Sequence, residues 1–158
     1  MNIAVLPVSV ALAASVALMM TGRTSAQPKG AQLTPTAHAA LPSAPSDFWL
    51  VPSGHVRAAL FDLRRSSPSR FRSQVLELGD DHPLGVYIPK GIAHGFAALS
   101  DSFMTYLVDE YYDNSDEHGL RWDDPALGVE WGVKDPIVSE RDRRSPFAKD
   151  LPEADLPD

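Results

Sequence analysis

Short strand-like segments, punctuated by Gly, Pro and Asp, predict an all-β protein of the sandwich or jelly-roll type. Three observations carry that reading. Apolar runs from about residue 47 onward are brief and recur at short, regular intervals. Turn chemistry separates them: Arg64-Arg65-Ser66-Ser67-Pro68-Ser69, Gly79-Asp80-Asp81-His82-Pro83 and Pro89-Lys90-Gly91. No apolar pattern with a 3.6-residue period lasts three turns, except weakly in the N-terminal run.

Taken in order, Val56 to Leu63 reads as a strand that leaves through the Ser/Pro turn after it. Arg72 to Leu78 alternates, as a half-buried strand does. Val86 to Ile88, Phe96 to Leu99 and Phe103 to Tyr112 supply further strands. Between two of them lies Tyr87-Ile88-Pro89-Lys90-Gly91-Ile92-Ala93-His94-Gly95-Phe96, in which a Pro-x-Gly turn delivers one histidine between small residues. Small neighbours allow backbone or ligand to approach the imidazole, while Ile88 and Phe96 anchor the turn in apolar surroundings.

At 158 residues the chain allows one domain of ordinary size. It contains no cysteine, which excludes disulfides, thiolate metal sites and a thiol nucleophile. The net charge of −7 is unevenly placed. Residues 1–46 hold no acid and only Arg23 and Lys29, so the remainder carries 21 acids against 12 bases, or −9. An acidic body with no basic stripe argues against a nucleic-acid partner, and an anionic ligand would need a few local cations.

Three units follow: an apolar then Ala/Pro/Ser/Thr-rich segment (1–46), a jelly-roll domain (47–147) and a solvated tail (148–158). Ile3 to Met20 is nearly continuous apolar sequence. A signal peptide is one reading, although Met1-Asn2 offers no cation and the run is long for that purpose. A membrane span is a second reading by length. A third is that these residues come from a displaced start or a shifted frame.

The histidine phrase resembles the Ile-Pro-x-Gly-x-Ala-His-Gly-Phe signature of the dTDP-4-dehydrorhamnose 3,5-epimerases, which are cupin-type jelly rolls. The resemblance continues through Phe103-Met104-Thr105-Tyr106, Asp109-Glu110-Tyr111-Tyr112, Gly119 to Trp131 and Pro136 to Asp142. Upstream, Asp62-Leu63-Arg64-Arg65-Ser66-Ser67-Pro68 matches the end of a family strand. It covers roughly residues 51–146. The fold it implies is a cupin-like jelly roll (double-stranded β-helix), here lacking its N-terminal strands.

The activity implied is proton removal and return at carbons beside a C4 ketone, in the dTDP-rhamnose pathway, with no metal and no cofactor. Inverting a carbon requires a base on one face and an acid on the other. By the resemblance Tyr106 is that acid, and Asp142 is the carboxylate of a His–Asp dyad. His94, Tyr112, Glu117 and Arg141 fall on substrate contacts, Tyr112 as an aromatic stacked on thymine and Arg141 where a lysine is usual. A nucleotide-sugar partner, a homodimer and a cytoplasmic location are implied as well, an exported or anchored protein being the alternative reading of residues 3–20. A non-catalytic nucleotide-sugar binder and a keto-isomerase of the same fold remain alternatives.

The departures are specific. The family's base histidine belongs to an Arg-Gly-Leu-His-Tyr-Gln motif that this chain lacks. His38 lies at about the right distance upstream, but its neighbours do not match, and the reading of a linker histidine is preferred. Where the family places a cation beside the enolate, Asp47 or Phe48 stands. A cupin metal site needs a His-x-His pair with converging ligands, whereas the histidines here are scattered singly. For Trp122 and Trp131, and the Asp123-Asp124-Pro125 turn between them, packing is expected.

Overall fold

The computed structural model describes residues 46–109 and 119–158, together with strand backbone at 4–7 and 32–34. Among the described residues nine strands form two sheets: β1 (Ala4–Pro7), β2 (Gln32–Thr34), β3 (Asp47–Ser53), β4 (His55–Asp62), β5 (Ser73–Gly79), β6 (Leu84–Ile88), β7 (Ile92–Ala98), β8 (Phe103–Val108) and β9 (Ile137–Val138). One sheet has the order β1-β6-β3-β8 and the other β5-β4-β7-β2-β9. Pairing is antiparallel except between β2 and β9. A five-residue helix, α1 (Glu140–Arg144), follows β9, and the C-terminal segment adds short 3-10 turns.

The sheets pack face to face because alternate residues of the central strands are apolar. Trp49 and Val51 of β3, Val56, Ala58 and Leu60 of β4, Val86 and Ile88 of β6, and Ile92 of β7 form the core between them. The opposite face of the β4/β7 sheet is covered by the segment after residue 119. There Phe61, Leu63 and Ala93 meet Leu120, Leu127 and Leu156, while Ala59 and Ala97 meet Trp131 and Val138. This double burial explains why the middle of β4, Ala58-Ala59-Leu60-Phe61, is apolar on both faces.

The strand expectations hold with shifted ends: β6 starts two residues earlier than expected, and β7 begins directly after the Pro89-Lys90-Gly91 turn. β3 has no counterpart among the expected strands, because Phe48-Trp49-Leu50-Val51 is apolar on both faces and shows no alternation. The first 46 residues, whose composition predicts no strand, supply one short strand to each sheet. The tail also differs from its expectation. Leu156 is buried in the second core, the Arg65 amide donates to the Pro157 carbonyl, and Arg70 pairs with Glu153. Trp131 is buried and its Nε1 donates to the Trp122 carbonyl, as packing residues do. Asp124 caps the turn that follows, accepting from the Ala126 amide. Among the described residues no helix is long and apolar enough to cross a membrane.

Gly79 closes β5 with φ +130, and a Cβ there would run into the backbone carbonyl of Gly54. Neither backbone can yield without opening the β4–β5 pairing. Gly79→Ala is therefore expected to cost more than about 1 kcal/mol, measured as a lowered urea midpoint at constant slope.

Candidate active site

Three strand ends converge at one end of the sandwich. β3 begins there, β6 ends there, and β7 starts back from the turn between them. Cα register sets Asp47 against Ile88 and Val108, and Trp49 against Val86 and Tyr106. Directly paired residues share a face, so Asp47, Trp49, Tyr106 and Val108 all project into the space between the sheets. His94 enters the same space from β7 on the opposite sheet.

His94 lies inside β7, three residues past the turn glycine, and not in the turn itself. Its Nε2 is 2.8 Å from Asp47 Oδ2, with both side chains 3 % exposed. Its Nδ1 is 2.9 Å from the Ile92 carbonyl oxygen. The Trp49 ring meets the imidazole edge-on at 4.9 Å, and Phe96 packs on the other side of Trp49. The result is a buried histidine–carboxylate contact joining the two sheets, held against aromatic rings.

Tyr106 is 47 % exposed and Val108 38 %, although they lie on the inner face with Trp49 and Asp47. The space between the sheets is thus open beside them. Buried groups at the floor and an accessible phenol at the rim give the site its polarity.

Asp142 is buried in α1, where composition alone suggested a solvated run. Its carboxylate accepts from Ser139 Oγ at 2.6 Å and lies 3.3 Å from Arg141 Nε. Ser139 Oγ in turn accepts from the Asp142 amide, capping the helix. Among the described residues its carboxylate meets no histidine; the histidine–carboxylate pair of this site is His94–Asp47. Arg141 leaves 54 % of its side chain exposed. Tyr112 and Glu117, and with them His38, lie outside the described residues.

Asp47 is the residue that sequence reasoning missed as part of a pair, since its partner lies on another sheet. The signal was a lone acid opening an apolar strand directly after Pro45-Ser46. At the opposite end of the sandwich His55 and Arg57 both bind Glu77, which leaves His55 in a structural role. No group of three His, Asp or Glu side chains among the described residues is placed to hold a metal ion.

The floor is braced from behind. Asp62, fully buried at the end of β4, accepts from Arg64, Ser67 and Ser69, and pairs in register with Ile92. Burial pushes the Asp62 carboxyl up, but these hydrogen bonds and the Arg64 amide outweigh it and hold the group far below the usual carboxylate range. The Leu63 amide donates to the Gly91 carbonyl, which ties this network to the turn that aims His94.

Two apposed sheets with a polar cluster at one open end define a jelly roll of the kind that houses a small-molecule site between its sheets. A family model described as dTDP-4-dehydrorhamnose 3,5-epimerase matches residues 34–150, and the chain belongs to that family. It is 36 % identical over 92 residues to the spore coat polysaccharide biosynthesis protein SpsL of Bacillus subtilis, covering 56 % of this chain and 61 % of that protein. It is 34 % identical over 117 residues to a dTDP-4-dehydrorhamnose 3,5-epimerase of Mycobacterium tuberculosis, covering 72 % of this chain and 58 % of that one. Among solved structures, the dTDP-4-dehydrorhamnose 3,5-epimerase of Bacillus anthracis with TDP and PPi bound superposes with a TM-score of 0.71 at 26 % identity, over 92 % of this chain and 72 % of that one. The chain spans about half to three-fifths of the curated relatives it matches, 61 % of SpsL and 50 % of an epimerase from Shigella flexneri.

Proposed function

We propose that this protein epimerises a dTDP-4-keto-6-deoxy sugar by removing and returning protons at carbons beside the C4 ketone. The observation that supports it most is the placement of Tyr106. Its phenol stands accessible on the inner face of β8, two register positions from the buried His94–Asp47 pair, in a chain whose family match spans that strand. A ketone acidifies its neighbouring C–H bonds because the carbanion delocalises onto oxygen as an enolate. A phenol at the rim can return the proton from the face opposite the base.

Arg141, steadied by Asp142, is the cation for the diphosphate; a guanidinium grips such oxygens in a fork. Tyr112 and Glu117 complete the nucleotide end in this reading. His94 acts behind the substrate, because Asp47 and the Ile92 carbonyl occupy its two nitrogens. The protein works in the cytoplasm, where nucleotide-sugars are made, and as a homodimer.

A second reading is favoured by one observation, the missing Arg-Gly-Leu-His-Tyr-Gln motif: a family member that binds the nucleotide-sugar without turning it over. NMR of dTDP-4-keto-6-deoxyglucose in D2O separates the two. Protein-dependent loss of the C3 or C5 proton signal with appearance of an epimer is the expected result. Binding of dTDP with both signals intact would leave the non-catalytic reading standing.

A further inference from the structure

Resting on the epimerase reading, we propose that Asp47 is the general base of this site, with His94 as its positioning residue. The chain lacks the motif that holds the family's base, so the proton must go elsewhere. His94 does not serve. A carbonyl oxygen only accepts hydrogen bonds, and an ionised carboxylate likewise. The ring is set between the Ile92 carbonyl and Asp47, so both of its nitrogens already face groups of the protein. Among the described residues the carboxylate beside it can take a proton. Its Oδ2 faces His94, and its Oδ1 has no hydrogen-bond partner among the described residues.

The geometry suits a reaction that needs groups on two faces of one carbon. Asp47 lies opposite Val108, and Tyr106 is two residues back on the same strand and face. Such diagonal neighbours stand about 7–8 Å apart. A carbon held at about 3–3.5 Å from each oxygen fits between them. Carboxylates act as bases beside ketones in other folds.

The step balances within these groups. The C–H bond breaks, its electron pair becomes the enolate double bond, and the carbonyl pair moves onto oxygen. The proton rests on Asp47 Oδ1. Negative charge thereby leaves Asp47 and appears on the enolate, while the His94 ring beside Asp47 stays in place. Tyr106 then gives its phenolic proton to the opposite face, and solvent restores Tyr106 and deprotonates Asp47.

The test is deuterium wash-in at C3 and C5 of dTDP-4-keto-6-deoxyglucose by wild-type protein, Asp47→Asn and Asp47→Glu, with dTDP affinity and circular dichroism measured alongside. Asp47→Asn is expected to bind dTDP with wild-type affinity and to lose exchange by at least about 100-fold. Asp47→Glu keeps the charge facing His94 and shifts the base by one methylene. It is expected to exchange slowly with an altered C3-to-C5 ratio, and this carries the test if Asp47→Asn does not fold. Wild-type exchange that survives in Asp47→Asn, or is unchanged in rate and ratio in Asp47→Glu, overturns the assignment and leaves the epimerase reading intact. Absence of exchange in the wild-type protein overturns the epimerase reading and the assignment with it.

Discussion

Tyr106→Phe is expected to abolish epimer formation while leaving the substrate's protons exchangeable. The hydroxyl is the only group removed, and the side chain is half-exposed at the end sheet strand β8, so folding should be unaffected. Proton removal relies on the base across the site and continues. Return from the opposite face does not, because phenylalanine has no proton to give. A positioned proton-transfer group contributes about 10²–10⁴ in rate, and the loss of product should lie in that range. In D2O the C3 or C5 signal would still fade, with label entering the original configuration. Wild-type amounts of epimer from the variant would remove Tyr106 from the chemistry.

Asp62→Asn is expected to produce the largest loss of stability. The carboxylate is fully buried and accepts from the Arg64 guanidinium at 2.7 and 2.9 Å, from Ser67 Oγ at 2.6 Å and from Ser69 Oγ at 2.7 Å. A carboxamide keeps the shape but drops the charge and turns two hydrogens toward groups that were donating. Removing one partner of a buried pair costs about 3–5 kcal/mol, a sizeable part of the roughly 5–15 kcal/mol that holds a domain together. The partial exposure of Arg64, which lets it rehydrate, places the expected loss near the lower end. Urea denaturation would show it as a lower midpoint.

The same carboxylate sets an acid limit. Its folded-state affinity for a proton lies far below that of the unfolded chain. Its contribution is therefore complete above the ordinary aspartate value of about 3.9 and is lost as pH falls below it. Wild-type protein should lose stability steeply below about pH 4. Asp62→Asn, already without that contribution, should show a shallower decline.

What the chain discloses by itself is uneven, for physical reasons. Turns are legible because Pro89-Lys90-Gly91 and Gly79 to Pro83 carry their conformations in their own residues. Strands that alternate, such as β5, are legible too. β3 is not, because both of its faces are apolar. Placing His94 required knowing where β7 starts, and two residues separate a turn histidine from one on a strand. Asp142 hides in a charged run, yet Ser139-Glu140-Arg141-Asp142 has the spacing of a helix cap, a local signal that would have predicted burial. The Asp47–His94 pair is a different matter. Nothing local in either segment points to the other, since the contact exists only through the stacking of two sheets.

From β5 onward the strands alternate between sheets: β5 in one, β6 in the other, β7 back, β8 across again. Neither sheet can be assembled from a contiguous stretch of chain, and most pairing joins segments remote in sequence. Such topologies fold slowly, on the order of milliseconds to seconds, while unpaired edges wait for partners. Because Asp47 and His94 come from opposite sheets, a chain with one sheet formed has no site. Recovery of ligand binding during refolding should therefore coincide with the last kinetic phase, and not with the earlier gain of β-structure.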